Sequence, residues 1–249
     1  MLLASYSLWR RDVLRFLRQR SRLVGALATP IVFWAVLGSG LDRSFRDAEG
    51  AGYLAYFLPG SLALVALFTA VFSTISVIED RQEGFLQGVL AAPVPRVAIV
   101  AGKMLGGVTL SLVNCAGLLV VAAVAGQLTS VTGALAALGV LAVLALGLTG
   151  LGLLIAWPMQ STQGFHAVMN LVLVPLWMLS GALFPASGAA GWVRALMTAN
   201  PLTYGVDAVR GALGGGSLTS ISADLAVLAA FAAGVTAVAT ILVSRPMRT

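Results

Sequence analysis

Few side chains in this sequence have the types and spacing that acid–base, nucleophilic or metal chemistry requires. The one histidine, His166, and the one cysteine, Cys115, lie in separate segments, so neither has a nearby ligand with which to hold a metal ion. The only Gly-Lys pair, Gly102-Lys103, is followed by Met104, where a phosphate-binding loop has Ser or Thr. We therefore predict no catalytic residue, no metal site and no bound cofactor in this chain.

The densest group of charged side chains follows one long apolar run and precedes a short one. It reads Glu79-Asp80-Arg81-Gln82-Glu83-Gly84, then Phe85, Leu86, Val89 and Leu90 on one face, then Pro93, Pro95 and Arg96. This order predicts a helix end followed by a short helix, parallel to a membrane, that the prolines terminate. In one interpretation its charged head and Phe85 dock a soluble partner; in the other it is a juxtamembrane turn with local ion pairs.

A second polar segment lies between residues 184 and 220. It contains Phe184-Pro185, Trp192, Arg194, Asn200-Pro201, Tyr204, Asp207 and Arg210. Asn200 as N-cap and Pro201 at the first helical position predict the start of a helix, on which Asp207 and Arg210 are spaced to pair. With Trp192 and Tyr204 as interfacial anchors, the segment is typical of a re-entrant or surface hairpin. An inert amphipathic loop is the alternative.

The N-terminal 22 residues have the pattern of an amphipathic helix. Leu2, Tyr6, Trp9, Val13, Phe16 and Leu17 fall on one face, and Arg11, Arg15, Arg18 and Arg22 fall on the other. We predict an interfacial helix whose apolar face lies at the acyl boundary and whose arginines reach anionic head groups or an acidic partner surface. The alternative is a solvated tail that only sets the topology.

The elements that must position these segments are set by composition. The chain is 59% hydrophobic and 10% charged, whereas water-soluble domains are about 25% charged. No Asp, Glu, Lys or Arg occurs between Lys103 and Arg194, so this stretch cannot cover itself with polar surface in water. The net charge of +6 comes from basic residues at helix ends, which gives no basic face for nucleic acid. The chain is therefore predicted to lie in lipid.

Uncharged runs long enough to cross a bilayer predict six spans in a single all-α transmembrane domain covering residues 1–249. The runs are about 23–40, 53–78, 104–126, 133–156, 165–183 and 221–243. An even number places both termini on one side. Eleven Lys and Arg flank the spans on the side of the termini and of the 79–103 loop, against four on the other side. The positive-inside tendency therefore predicts cytoplasmic N- and C-termini.

Taken together in this order, these segments resemble the permease subunits of ABC-2 type transporters, a group of drug, lipo-oligosaccharide and polysaccharide exporters. The resemblance covers nearly the whole chain. It rests on the Arg-rich N-terminal helix, the six spans, the Arg81-x-Glu83-Gly84 segment closed by Pro93 and Arg96, and the stretch from Phe184-Pro185 through Asn200-Pro201-Leu202-Thr203-Tyr204 to Arg210.

The resemblance implies a multi-pass subunit in a bacterial plasma membrane that moves an amphipathic, drug-like or lipid-linked substrate outward. Its implied partners are a second permease chain, identical or a close paralogue, and two cytoplasmic ABC ATPase subunits that hold ATP and Mg. The residues implied in coupling to the ATPase are Glu79, Arg81, Glu83, Gly84 and Phe85. Among them, Glu83 would meet a basic partner and Gly84 would make a tight bend. The spans implied to line a lateral path are the first, second and fifth.

The same resemblance implies that the segment between the fifth and sixth spans forms an outer hairpin or gate. The residues implied there are Phe184, Pro185, Asn200, Pro201, Tyr204 and Arg210. The main alternative to an exporter is a membrane scaffold or assembly factor that transports nothing and only recruits a cytoplasmic partner. A channel is disfavoured because the spans offer no ring of acids or arginines for a selectivity filter.

Overall fold

A computed structural model of the chain describes residues 2–18, 20–42, 52–214 and 221–244. Within them the chain folds into helices joined by short turns. The helices are α1 (Leu2–Arg18), α2 (Arg20–Leu41), α3 (Tyr53–Ser73), α4 (Ile75–Gln82), α5 (Phe85–Ala91), α6 (Arg96–Val124), α7 (Val131–Ala156), α8 (Thr162–Met178), α9 (Gly191–Ala199), α10 (Pro201–Leu213) and α11 (Ser222–Ser244). The bundle has an α5 end, which carries α1, α5 and the 157–161 linker, and an opposite end, which carries α9.

Four of the six predicted spans coincide with helices that are long and apolar enough to cross a membrane. They are Tyr53–Gln82, in which α4 continues α3 after a turn at Thr74, and Arg96–Val124, Val131–Ala156 and Ser222–Ser244. In the region of the first predicted span, the described apolar helix is the shorter Ala28–Leu41. The full count of six crossings therefore stays a prediction.

The predicted fifth span, about 165–183, overlaps a helix that is shorter and lies a few residues nearer the N-terminus. Its helix, α8, runs from Thr162 to Met178, and its 17 residues make a rod of about 25 Å. The Asn200 amide group ends this helix, because it donates to the carbonyl oxygens of Leu176 and Leu179 at 2.6 and 2.9 Å. Gly181, at φ +74°, then turns the chain back across the bundle.

The centre of the bundle is α3, which is apolar all round and buried along most of its length. It packs against α2, α6, α7 and α10. Helices with this composition are expected inside a bundle, because no face offers polar groups to solvent. A cleft remains where α2, α3 and α8 come together.

The predicted hairpin between α8 and α11 is only partly a surface feature. Helix α9 lies on the outside, with Trp192 70% exposed. Helix α10, in contrast, packs against α3, α7 and α11 and buries Leu202, Val206 and Val209 completely. The helix start predicted at Asn200-Pro201 is confirmed, since the Asn200 side chain accepts a hydrogen bond from the Leu202 amide at 2.9 Å.

Helix α1 lies along the N-terminal half of α6, and a glycine allows the close approach. A Cβ atom at Gly102 would lie 2.9 Å from the Leu8 Cβ and 3.0 Å from the Ser5 carbonyl oxygen. The buried residues of α1 are Ser5, Leu8 and Phe16, whereas Leu2, Tyr6 and Leu17 are exposed. The predicted apolar face therefore divides into a part that meets α6 and a part that is free to meet acyl chains.

We expect Gly102→Ala to destabilise the protein by about 1–3 kcal/mol, because the added methyl group must push α1 away from α6. Gly139→Ala is the matched control: Gly139 is also helical, but a Cβ there meets no atom within 4 Å. Alanine should make the control equally stable or slightly more stable, since it favours helix over glycine. Thermal unfolding of the two variants in detergent would test this, and equal midpoints would contradict the tight contact.

Candidate functional site

A buried carboxylate, Asp80, is the centre of a charge cluster at the α5 end. Its side chain is 1% exposed and lies on the last turn of α4. Both terminal nitrogens of the Arg11 guanidinium donate to it, and the Arg15 guanidinium lies 3.5 Å away. The Lys103 ammonium group, which lies on α6, donates a hydrogen bond to Asp80 at 2.7 Å. Asp80 therefore joins α1, α4 and α6 at one point.

Lys103 is the matching buried cation, and its side chain is 4% exposed. Its ammonium nitrogen lies 2.7 Å from Asp80 Oδ2, 2.9 Å from Asp12 Oδ2 and 3.0 Å from Ser76 Oγ. A lysine has three N–H donors, so these three acceptors saturate it. Burying this charge is tolerated because every donor has a partner and two of the partners are anions.

The acids that flank Asp80 extend the cluster toward the surface. Arg15 approaches Glu79 at 3.5 Å and Glu83 at 2.9 Å. Burial opposes the charge of Arg11, but the hydrogen bond and the negative charge of Asp80 outweigh it, so the pKa of Arg11 is raised. The sequence prediction placed Arg11 and Arg15 against head groups or a partner's acids; the structure places both against acids of the chain itself.

The junction between α4 and α5 turns at Gly84, which has φ +77°. Phe85 begins α5, and the Arg11 guanidinium carbon lies 3.6 Å from the centre of its ring. Phe85 is 38% exposed, and the Glu83 side chain is 55% exposed. Leu86, in contrast, is buried. The accessible residues at the turn itself are therefore Glu83, Gly84 and one side of Phe85.

Arg81 does not share this surface. Its guanidinium donates to the carbonyl oxygens of Trp157 at 2.5 Å and Met159 at 2.7 Å, and lies 5.7 Å from the Trp157 ring centre. The next residue, Gln82, donates to the Gln160 carbonyl oxygen at 2.8 Å. Arg81 was grouped with Glu83 in the sequence prediction, but it points to the other side of α4, toward the linker between α7 and α8.

At the opposite end, the turn after α8 is fastened to α3 and α10. Arg210 pairs with Asp207 at 2.6 Å, as predicted, and also donates to the Gly181 carbonyl oxygen at 3.1 Å. The Tyr56 hydroxyl donates to the same oxygen at 3.0 Å, and its ring centre lies 4.8 Å from the Arg210 guanidinium carbon. Gly60 lies beneath the turn, where a Cβ would come within 2.7 Å of the Ala182 backbone.

The remaining predicted residues of this end are dispersed. The Tyr204 hydroxyl donates to the Thr198 carbonyl oxygen at 2.8 Å and so joins α10 to α9. Phe184 and Pro185 lie on the exposed turn before α9. Thus Asn200 and Arg210 bind the end of α8 and the turn after it, Pro201 begins α10, and Phe184 and Pro185 are exposed. At the α5 end, Arg18 is exposed, and the side chain of Arg22 lies outside the described residues.

A cleft of about 510 Å³ lies between α2, α3 and α8. It is lined by aromatic and aliphatic side chains with a few hydroxyls: Phe16, Thr29, Pro30, Phe33, Leu64, Phe68, Thr69, Phe72, Ser73, Ile75, His166, Val174 and Trp177. Among the described residues that line the cleft, His166 is the one ionisable group, and its ring centre lies 5.0 Å from that of Phe72. A mostly apolar cleft of this size suits the apolar part of a small amphiphile.

Sequence reasoning did not identify Asp12, Asp80 and Lys103 as a buried set. One signal was available: Leu8, Asp12 and Phe16 are spaced four residues apart, so an acid lies on the same stripe as two apolar side chains. An acid in that position needs a buried cation. For metal ions, the described residues contain no group of three or more His, Cys, Asp or Glu side chains that could hold one.

Most of the chain is similar to a known family of transporters. A model of the family described as ABC-2 type transporter matches residues 4–213. The chain is 27% identical to nodulation protein J of Rhizobium leguminosarum bv. viciae over 89% of its own length and 86% of that protein. It is 27% identical to nodulation protein J of Rhizobium meliloti (strain 1021), over 91% of its own length and 87% of that protein. It is 24% identical to the daunorubicin resistance ABC transporter permease protein DrrB1 of Streptomyces coeruleorubidus, over 82% and 72%.

We expect Lys103→Met to destabilise the protein by about 3–5 kcal/mol, because it leaves the Asp12 and Asp80 carboxylates buried without their shared cation. Arg18→Met is the control, since Arg18 is exposed on α1 and its replacement should change stability by about 0.5 kcal/mol or less. Denaturation of both variants in the same detergent measures the difference. A stable Lys103→Met protein would show that the cluster does not hold α1 and α6 to α4.

Proposed function

Because the chain belongs to the ABC-2 type transporter family, we propose that this transport permease moves an amphipathic substrate outward with force from separate ATPase subunits. The observation that carries the proposal is the aromatic cleft between α2, α3 and α8, together with its position. One wall of the cleft, α3, continues directly into α4, and α4 ends at the exposed Glu83-Gly84-Phe85 surface. A membrane scaffold that only recruits a partner has no use for such a cleft.

The α5 end is the cytoplasmic end in this proposal, and the membrane is a bacterial plasma membrane. Six Lys and Arg lie in residues 1–22 and three lie in 79–103, so the basic flanks gather at this end. Positively charged flanks favour the cytoplasmic side of a membrane. Both termini are then cytoplasmic, and α9 with the turn at Gly181 lies outside. Trp192, exposed on α9, is placed to anchor that helix in the outer interface.

The ATPase subunits would dock on Glu83, Gly84 and Phe85. This segment is the exposed part of the charge cluster. The contact of Glu83 with Arg15 holds it to α1, and the contact of Asp80 with Lys103 holds it to α6. The chain has no phosphate-binding loop of its own, so ATP and Mg belong to the two partner subunits. Glu83 offers a carboxylate to a basic partner side chain, although Arg15 already shares it.

A second permease chain, identical or closely similar, would complete the route. Helix α8 buries a single stripe, and its other faces carry exposed apolar side chains such as Val168, Leu171 and Val172. In a membrane these faces meet either lipid or another chain. If a second copy faces α8, the two clefts lie beside a shared path between the halves.

The cargo proposed for the cleft is an amphiphile with an aromatic or acyl body. Phe33, Phe68, Phe72 and Trp177 supply flat apolar surface, and Thr29, Thr69, Ser73 and His166 supply a few polar groups. One relative is named for nodulation and another for daunorubicin resistance, so the names do not point to one common cargo. The low density of hydrogen-bonding groups in the cleft favours the apolar portion of either kind of molecule.

The test is to reconstitute the chain with an ATPase subunit in liposomes and to measure ATP turnover with daunorubicin or an NBD-labelled phospholipid as the probe. We expect at least one of these amphiphiles to stimulate turnover. Phe33→Ala should raise the half-maximal concentration about tenfold, which corresponds to roughly 1.4 kcal/mol of lost contact. Phe33 is suitable because it is 45% exposed, so its truncation leaves the core intact.

Val36→Ala is the matched control, because Val36 lies on the same helix, is 62% exposed and does not line the cleft. It should leave the half-maximal concentration unchanged. A chain that fails to bind any ATPase subunit would favour the scaffold, and equal effects of the two substitutions would remove the cleft from the substrate path.

A further inference from the structure

We propose that Arg81 and Gln82 form a clamp that holds the 157–161 linker to the last turn of α4. The clamp makes α8, one wall of the cleft, move with α4. The inference rests on the proposed function, since it concerns how movement of the Glu83-Gly84-Phe85 surface is transmitted to the cleft. It assigns Arg81 a role inside the chain and not in contact with the ATPase. Arg81 and Gln82 are positioning residues in this account, because neither lines the cleft.

The clamp consists of three hydrogen bonds to backbone carbonyls of one short linker. Arg81 donates to Trp157 and Met159, and Gln82 donates to Gln160. The planar guanidinium presents two parallel donors at a fixed spacing, which is why it can hold two carbonyl oxygens at once. A lysine in this position keeps the charge but cannot span both oxygens.

The connection between the linker and α8 is short. Ser161 is the N-cap of α8, and its hydroxyl oxygen accepts a hydrogen bond from the Gly164 amide at 3.2 Å. Only one residue separates Gln160, held by the clamp, from Thr162, the first residue of α8. A displacement of the last turn of α4 is therefore passed to the first turn of α8.

Helix α8 is held lightly enough to follow such a displacement. Its buried residues form one stripe, Phe165, Met169, Leu173 and Trp177, and it packs against α3 and α4. At its far end the Trp177 indole N–H donates to the Gly60 carbonyl oxygen at 2.9 Å. With one end fixed near Gly60 and the other end clamped to α4, tilting α8 changes the width of the cleft.

The two sides of α4 have different tasks in this arrangement. Asp80 fixes the last turn to α1 and α6, so a force applied at Glu83 or Phe85 moves these helices together. Arg81, the adjacent residue, points to the other side and reaches the linker. A simpler role for Arg81 is capping the carbonyl end of α7, which a basic side chain does well. That role predicts lower stability on substitution and no specific loss of movement at the cleft.

The first arm of the test uses the purified chain alone. In Arg81→Ala, hydrogen–deuterium exchange of residues 157–166 should accelerate several-fold, while exchange in α6 and α7 stays as in the wild type. Arg96→Ala is the control, since the Arg96 side chain makes no hydrogen bond among the described residues and Arg96 begins a different helix. Unchanged exchange at 157–166 in Arg81→Ala would overturn the clamp whatever the protein transports.

The second arm uses the complex with the ATPase subunit and a cysteine at Val174, a half-exposed residue of the cleft. The native Cys115 is buried and is replaced by alanine. A non-hydrolysable ATP analogue should change the rate at which N-ethylmaleimide alkylates Val174→Cys several-fold. In Arg81→Ala and Arg81→Lys this change should disappear, while the ATPase subunit still binds and hydrolyses ATP; Arg96→Ala should retain it.

A covalent tether then separates transmission from folding. In the Arg81→Ala chain, Gln82→Cys and Gln160→Cys are joined by a short, reducible thiosulfonate cross-linker before the ATPase subunit is added. Amphiphile-stimulated ATP turnover should return, and reduction should abolish it again. Loss of ATPase binding in Arg81→Ala, or no recovery with the tether, would overturn the inference. A wild-type complex in which neither probe nor nucleotide has any effect contradicts the proposed function, and unchanged exchange at residues 157–166 would still overturn the clamp by itself.

Discussion

The arrangement of this protein depends on one buried carboxylate, Asp80, at the end of an otherwise apolar helix. Apolar side chains attract one another without regard to direction, and in lipid even that attraction is weak. A buried acid instead requires cations at fixed distances, and here Arg11 and Lys103 come from two different helices. Removing Asp80 or Lys103 takes away a partner that two or more of the other charges share, so the cluster fixes α1, α4 and α6 together at this end.

The last turn of α4 is therefore bound to other elements on two sides. Asp80 ties it to α1 and α6, while Arg81 ties it to the 157–161 linker and through it to α8. The cleft lies between α3, which carries α4, and α8. At the opposite end, Arg210 and Tyr56 hold the turn after α8, so that end is well placed to serve as a pivot. With both ends of α8 held in this way, movement of α4 would change the width of the cleft.

Much of this could be read from the sequence, because the relevant signals are local. The long uncharged runs identified the apolar helices, Asn200-Pro201 identified the start of α10, and the spacing of Asp207 and Arg210 identified their pair. The features that the sequence did not reveal depend on partners far along the chain. Asp80 and Arg81 look alike as charges at a helix end, but the side to which each points is set by α6 and by the linker before α8. The end of α8 also involves such a partner, because the Asn200 side chain caps its last carbonyl groups.

The central claim is that the α5 end faces the cytoplasm, where separate ATPase subunits can apply force to it, and sidedness labelling tests this most directly. Gly88→Cys and Gly188→Cys, in a Cys115→Ala background, place single exposed thiols at opposite ends, at positions where a Cβ meets no atom within 4 Å. A membrane-impermeant maleimide should label Gly188→Cys in intact cells and Gly88→Cys only in inverted membrane vesicles. Labelling of Gly88→Cys from the outside of intact cells would contradict the account.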